Sequence, residues 1–323
     1  MIYPWQQAAW ETVQSARQRD RLPHALLFTG EDGCGNESFV RVLAQALLCL
    51  EPIATGAACG QCRSCQVFAG QAHPDYMAVR LQEDRQAILI EQIRELNHFL
   101  GLSRSYSPRR VVVIYPAERM NVNAANSLLK SLEEPANNTH ILLLSSHPAL
   151  LLSTIRSRCQ MMRLPVPSME SALSWLKQQT LQHDAQVLLT AARGRPMAAL
   201  QLDSTDMLIQ RQQWLAHIAQ MITGRGNIVE ISAQWEKYDK TVLLDWQLDC
   251  VHALIKQPTV GRDLSGYLPD LNDFLMLTRQ SIWEIYSGLL ELKKIAIHPI
   301  NPRLFVESML MLWQVKLGHN HCL

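Results

Sequence analysis

Hydrophobic residues along this chain switch between two spacings, and the switches outline its elements. Ala25-Leu26-Leu27-Phe28 is an unbroken apolar run. With His24 and Thr29 it predicts a short buried strand leading into a glycine-rich turn at residues 30–35. Beyond the turn, Phe39, Val42, Leu43, Ala46 and Leu47 recur at the i, i+3, i+4, i+7, i+8 spacing of one helix face. Ile90, Ile93, Leu96 and Leu100 predict a second helix, and Ala125, Leu128, Leu129 and Leu132 a third that Pro135 stops. Val111-Val112-Val113-Ile114 and Ile141-Leu142-Leu143-Leu144 are continuous runs, as expected for inner strands of a parallel sheet. Strands alternating with helices to about residue 164 predict an α/β domain with helices on both faces of that sheet.

Leu164-Pro165-Val166-Pro167-Ser168 reads as a linker. From there to about 204 the pattern is short and helical, with Trp175, Leu176, Leu188 and Leu189 ahead of Gly194-Arg195-Pro196. From 205 onward no strand-period alternation occurs, and long helices fit better. They fall around Trp214, Leu215, Ile218 and Met221-Ile222, then Leu289 to Leu292, then Phe305, Met309 and Leu312. Pro302 stands where a first helical turn tolerates it. Residues 257–270, with two prolines and two glycines, predict a loop. The expected division is therefore 1–165, 166–204 and 205–323, the last all-helical. Trp214, Trp235, Trp246, Trp283 and Trp313 lie in apolar helical patterns, which makes them core or interface anchors rather than base-stacking platforms.

Composition adds limits. Hydrophobic content of 48% with 18% charge excludes a disordered chain. A formal net charge of +1 gives no global pull toward nucleic acid or anionic membrane. The most apolar stretch, residues 141–152, is interrupted by Ser145-Ser146-His147-Pro148 and is too short to span a bilayer. The first ten residues hold no apolar signal core, so a cytoplasmic location is expected.

Eight cysteines stand at 34, 49, 59, 62, 65, 159, 250 and 322, four of them within seventeen residues. Cys59-x2-Cys62-x2-Cys65, with Cys49 ahead of it, suits a tetrahedral ion, and Gly56 and Gly60 supply tight turns. A shell of four thiolates leaves no position for water, so zinc here would be structural. Four ordinary reduced cysteines are the alternative. An iron–sulfur cluster of the bacterial ferredoxin type needs a further cysteine three residues on, where this chain has Gln66-Val67-Phe68.

The glycine-rich turn has the outline of a phosphate loop without its chemistry. In G-x-x-x-x-G-K-[ST] the lysine meets the β/γ-phosphates and the hydroxyl holds Mg²⁺. Here Gly30, Gly33 and Gly35 are present, but the lysine position is Asn36 and the hydroxyl position Glu37. Glu31, Asp32 and Glu37 add carboxylates, and each repulsion at ~4 Å costs about 1 kcal/mol in water and ~4 kcal/mol at an effective dielectric of 20. A helix N-terminus favours an anion by only ~0.3–1 kcal/mol. After the second inner strand a hydrolysing enzyme would carry acids for Mg²⁺ and water, whereas this chain has Tyr115-Pro116. No nucleotide cofactor is expected. The turn could also be a plain turn that never held phosphate.

The run Asn126-Ser127-Leu128-Leu129-Lys130-Ser131-Leu132-Glu133-Glu134-Pro135, followed by Ser157-Arg158-Cys159, resembles signatures of the clamp-loader branch of the AAA+ family. Tyr3-Pro4-Trp5, the clustered cysteines and His73-Pro74-Asp75-Tyr76 add to the match, which is specific over about residues 1–165. The resemblance implies an AAA+ core with a zinc module at about 49–65, a helical lid domain and an all-α collar. It implies a non-hydrolysing member of a hetero-oligomeric ring that opens a sliding clamp and places it on primed DNA. Its partners would be tau/gamma-type subunits and a delta subunit, within a DNA-directed DNA polymerase holoenzyme and away from membranes. Arg158 would then act in trans on a neighbour's ATP, and such arginine fingers are worth ~10³–10⁵ in rate. A guanidinium suits this because it is always charged and presents a planar fork to phosphate oxygens. The alternative for Arg158 is a salt-bridged surface arginine. Met197 falls where ATP-hydrolysing members carry a lid arginine.

A different class of function is a self-sufficient AAA+ ATPase with a divergent loop, against which Asn36, Glu37 and Tyr115-Pro116 speak. A third is a nucleic-acid-binding cysteine knuckle. Arg104, Arg109 and Arg110 are expected as a solvated basic loop, and His73-Pro74-Asp75 as the start of a strand.

Overall fold

In a computed structural model the chain is described over residues 1–82, 85–260, 273–274, 276–296, 298 and 300–314. It divides into two compact units, Met1–Gln179 with Gly194–Ala199 and Thr180–Arg193 with Leu200–Leu323.

The first unit is built on five parallel strands: β1 (Ala25–Thr29), β2 (Tyr76–Arg80), β3 (Arg110–Tyr115), β4 (Thr139–Ser145) and β5 (Gln160–Arg163). Their order across the sheet is β2-β3-β4-β1-β5. The apolar runs are unbroken because both faces are covered, and successive side chains feed two different cores. Ala25, Leu27, Val112, Ile114, Ile141 and Leu143 point to one face. There they meet α4 (Ile90–Gly101), α5 (Val122–Glu133) and α6 (Ser153–Arg156). Leu26, Phe28, Val111, Val113, Leu142 and Leu144 point to the other. That face is covered by α1 (Gln7–Gln18), α2 (Asn36–Leu48) and α3 (Arg63–Ala69). Each fully buried leucine contributes about 1.5–3 kcal/mol relative to exposure, so these stripes fix the register, Leu27 beside Leu143 and Val112 beside Ile141.

The α5 helix shows how local chemistry places a functional residue. The side chain of Asn121 caps its start by accepting from the Ala124 amide at 2.8 Å. Ala124, Ala125, Leu128 and Leu132 bury its apolar face, Pro135 follows its end, and Glu133 is left on an exposed last turn. The expected linker begins later than predicted. Leu164 is buried and its amide donates to the Thr29 carbonyl at 2.7 Å, extending the sheet. The helix α7 (Met169–Leu176) follows, capped by Ser168.

The regular secondary structure of the second unit is all helical among its described residues. Besides α8 (Ala185–Ala191) and the end of α9 (Pro196–Asp203), it contains α10 (Met207–Ile222), α11 (Ile228–Trp235), α12 (Lys240–Val260), α13 (Arg279–Ile295) and α14 (Pro302–Met311). Its core includes Trp214, Trp235, Trp246 and Trp313. Trp283 is not part of that core, being 50% exposed on α13. The loop expected over 257–270 is helix through Val260, and its remainder lies outside the described residues. Among the described residues no helix is long and apolar enough to cross a membrane.

Candidate functional site: a glycine loop filled by Asn36, an exposed arginine and four thiols

The glycine-rich loop leaves the carboxyl end of β1, beside the end of β4, and enters α2. The sheet order places the topological switch there, where open α/β sheets bind ligands. The Gly30 amide ties the loop to the Ser145 carbonyl at 3.3 Å. Gly35 caps α2 in the left-handed region at φ 80°, and an added Cβ would run into the Tyr3 ring.

The residue in the lysine position turns inward. Asn36 is buried, and its Nδ2 donates to the Glu31 carbonyl at 2.9 Å. The amide fills the space beside Gly30, where a Cβ would meet Nδ2 at 2.6 Å. Other groups hold the outside of the loop. Trp5 Nε1 and Gln6 Nε2 donate to the Cys34 carbonyl at 2.9 and 3.3 Å. The Met197 amide donates to the Gly33 carbonyl at 2.9 Å, so Met197 stands over the loop.

A cleft of about 390 Å³ remains, lined by Tyr3, Asp32, Asn36, Glu37, Tyr115 and Met197 among others. Size does not exclude a ligand, since small-molecule pockets run to ~300–1,000 Å³. Of the three carboxylates expected around the loop, two have partners. Glu37 pairs with Arg80 at 2.5 Å, and Tyr115 donates to Asp32 at 3.4 Å. Burial, with Asp32 beside it, pushes the Tyr115 hydroxyl up to about 12. Arg41 also lines the cleft, a cation that sequence reasoning missed although it lies one turn beyond Glu37. The repulsion is therefore weaker than expected, and the Asn36 amide takes up space inside the loop.

Beyond Tyr115-Pro116, Glu118 emerges as a buried carboxylate that sequence reasoning missed. It accepts from the Ser146 amide at 3.2 Å and the Ser146 hydroxyl at 2.9 Å. Burial opposes its charge, yet the donors gathered on it, its own backbone amide and Ser146 among them, hold it below the usual carboxylate range.

Arg158 lies just past α6, between Ile155, which is buried in the core, and Cys159, which packs at its edge. Burial raises the Cys159 thiol to about 11, which suits a packing role rather than a nucleophile. The Arg158 side chain is 35% exposed and forms a salt bridge with Glu133 of the Leu-Glu-Glu-Pro run. The two motifs, twenty-five residues apart, thus meet in space.

The four clustered cysteines also converge. Cys49 ends α2, Cys62 precedes α3 and Cys65 sits within it. All four sulfurs lie within 4.8 Å of one another, with separations of 3.6, 3.9 and 4.0 Å among them. A tetrahedron with 2.3 Å metal–sulfur bonds has sulfur–sulfur edges of about 3.8 Å, whereas a disulfide needs ~2.05 Å. Backbone amides of Cys59 and Cys62 donate to the sulfurs of Cys49 and Cys59, both at 3.3 Å, as suits thiolates. The donor set can therefore hold a metal ion.

His73-Pro74-Asp75 fastens this module to the sheet. Asp75 is fully buried and accepts from the amides of Ser105, Tyr106 and Ser107 at 2.8, 3.3 and 3.0 Å. Burial raises the cost of its charge, but those donors keep its carboxyl below the usual range. Arg110 corrects the expectation of a solvated basic loop. It is buried 3.7 Å from Asp75 and donates to the carbonyls of Leu100, Leu102 and Ser103. His73 Nδ1 accepts from the Asp75 amide, which leaves Nε2 to donate to Ser64 Oγ at 2.9 Å. Ser64, between two of the cysteines, donates to the Leu48 carbonyl at 2.7 Å.

Known proteins resemble this chain over most of its length. A family model described as "DNA polymerase III, delta subunit" matches residues 5–168. The DNA polymerase III subunit delta' of Pseudomonas aeruginosa is 32% identical over 325 residues, covering 97% of this chain and 97% of that protein. Those of Haemophilus influenzae and Escherichia coli are 33% and 35% identical, over 77% and 63% of this chain and 77% and 61% of theirs. A solved DNA polymerase III gamma subunit-related protein from Thermotoga maritima aligns at a TM-score of 0.50 and 16% identity, covering 94% of this chain and 98% of that one, a likeness of fold. With similarity running along nearly its whole length, the chain belongs to the DNA polymerase III delta' subunit family.

Proposed function

We propose that the chain serves DNA replication as a non-hydrolysing clamp-loader subunit, which binds no ATP itself and supplies Arg158 to ATP on a neighbouring tau/gamma-type subunit. It would work in a hetero-oligomeric ring with those subunits and a delta subunit, loading a sliding clamp onto primed DNA. The observation that carries this reading is the inward Asn36 amide, bonded to the Glu31 carbonyl inside the loop. A nucleotide would have to displace it, and no lysine then replaces what it leaves. Arg158 complements that loss, being a permanent cation on an exposed surface at the end of a rigidly anchored helix turn. The division into core, lid and collar at 1–165, 166–204 and 205–323 belongs to the same proposal.

Cys49, Cys59, Cys62 and Cys65 would hold a structural zinc ion, which ties the end of α2 to the start of α3 and leaves no open coordination position. Calorimetric titration of the purified chain with Mg²⁺-ATP tests the reading, run beside stoichiometric mixing with a tau/gamma-type partner. No binding heat together with a stable complex is expected. Saturable ATP binding by the lone chain would instead favour a self-sufficient ATPase.

A further inference from the structure

The guanidinium of Arg158 is already engaged. Its Nε donates to Glu133 Oε1 at 2.6 Å, and its Nη2 meets the same oxygen. Its Nη1 donates to the Thr154 carbonyl at 3.1 Å and to Ser157 Oγ at 3.4 Å. A guanidinium grips a phosphate bidentately through two parallel N–H groups on one edge. The Nε/Nη2 edge is held by a carboxylate and Nη1 by α6, so a bidentate grip requires one holder to let go. Both holders are fixed to the core. Leu128 and Leu132 anchor the last turn of α5, and Ile155 anchors α6. The pair itself remains open to approach, with the two side chains 35% and 49% exposed.

We propose that Glu133 is a positioning residue that parks Arg158, competing with the neighbour's terminal phosphate for the same N–H edge. This rests on the reading of Arg158 as a trans-acting arginine. Before ATP arrives, Glu133 keeps the guanidinium folded against its own subunit. A terminal phosphate carries more negative charge than one carboxylate, so it displaces Glu133 when the subunit boundary closes. Exposure sets the strength of the hold, because ion pairs in solvent restrain a partner by only about 1.5- to 5-fold. The contact is therefore a reversible latch, and it makes arginine engagement depend on how well ATP is seated next door.

The test uses the full assembly with tau/gamma-type partners, carrying Glu133→Gln in this chain. Glutamine keeps the size and one acceptor oxygen but removes the charge. The apparent KM for ATP is expected to fall about two- to fivefold, with kcat within about twofold of the parent. Glu133→Asp, which retains the charge, should return KM toward the parent. The double variant Glu133→Gln/Arg158→Ala should match Arg158→Ala alone, since parking has no meaning without the arginine. A kcat loss in Glu133→Gln as deep as that of Arg158→Ala would overturn the proposal and make Glu133 a support of the engaged arginine. An unchanged KM, or a fall that persists in the double variant, would also overturn it. If Arg158→Ala alone leaves turnover untouched, it is the trans-acting reading itself that fails.

Discussion

Replacing Asp75 with asparagine should loosen the sheet edge and the cysteine module together. The carboxylate is fully buried, receives three backbone amides and faces buried Arg110. Hydrogen bonds to charged groups contribute about 1.5–3 kcal/mol each, and breaking a buried ion pair from one side costs about 3–5 kcal/mol. Asparagine keeps an acceptor oxygen, which offsets part of the loss, and the three carbonyls on Arg110 offset more. A cost of about 3 kcal/mol follows, or roughly 150-fold in protection of amides that exchange through opening of this region. Hydrogen exchange read by mass spectrometry on the β3 peptide is the assay, because its ladder partners are not altered by the substitution. The pH dependence supplies a second check. The folded carboxyl lies below its unfolded value of about 3.9, so its stabilisation is complete above that pH and is lost as pH falls through the folded value. The difference between parent and variant should be full at pH 7 and shrink below about pH 4. A change in protection under about fivefold, or a difference that stays constant down to pH 3, would refute the reasoning.

Other consequences are as direct. The purified, reduced protein should carry about one zinc per chain by elemental analysis, and Cys62→Ser should lose it while opening the 49–65 segment to protease. Gly35→Ala should cost about 1–2 kcal/mol, since it combines a left-handed φ of 80° with contact to Tyr3, and Tyr3→Ala should recover the steric part in a double-mutant cycle read by urea unfolding. Leu128→Ala, emptying the fully buried centre of α5, should cost about 2–5 kcal/mol in the same assay and loosen the turn that carries Glu133.

The central strands β1, β3 and β4 were legible because burial on both faces demands unbroken apolar runs. Of the edge strands only the entry to β2 was, at His73-Pro74-Asp75. Four of the five residues of β2 are exposed or half-exposed, as are all four of β5, so neither needs such a run. The α1 helix escaped notice because glutamines surround the two buried apolar side chains, Trp10 and Val13, that seat it. The cysteine spacing announced the convergence of the four thiols, since residues this close in sequence must also be close in space. Loss of the lysine was equally plain, but not what took its place. That depends on the rotamer of Asn36 and on Tyr3, Met197 and Arg80, brought in from distant segments. Arg110 and Asp75 show the same limit, because a basic run in sequence does not reveal which member a buried carboxylate will claim.

The most direct measurement is single-turnover ATP hydrolysis by the full assembly carrying Arg158→Ala in this chain, with assembly verified by size. The account predicts an intact complex in which hydrolysis at the one adjoining site slows about 10³-fold or more, while the other sites keep their rate. An intact complex with every site hydrolysing at the parent rate would contradict it.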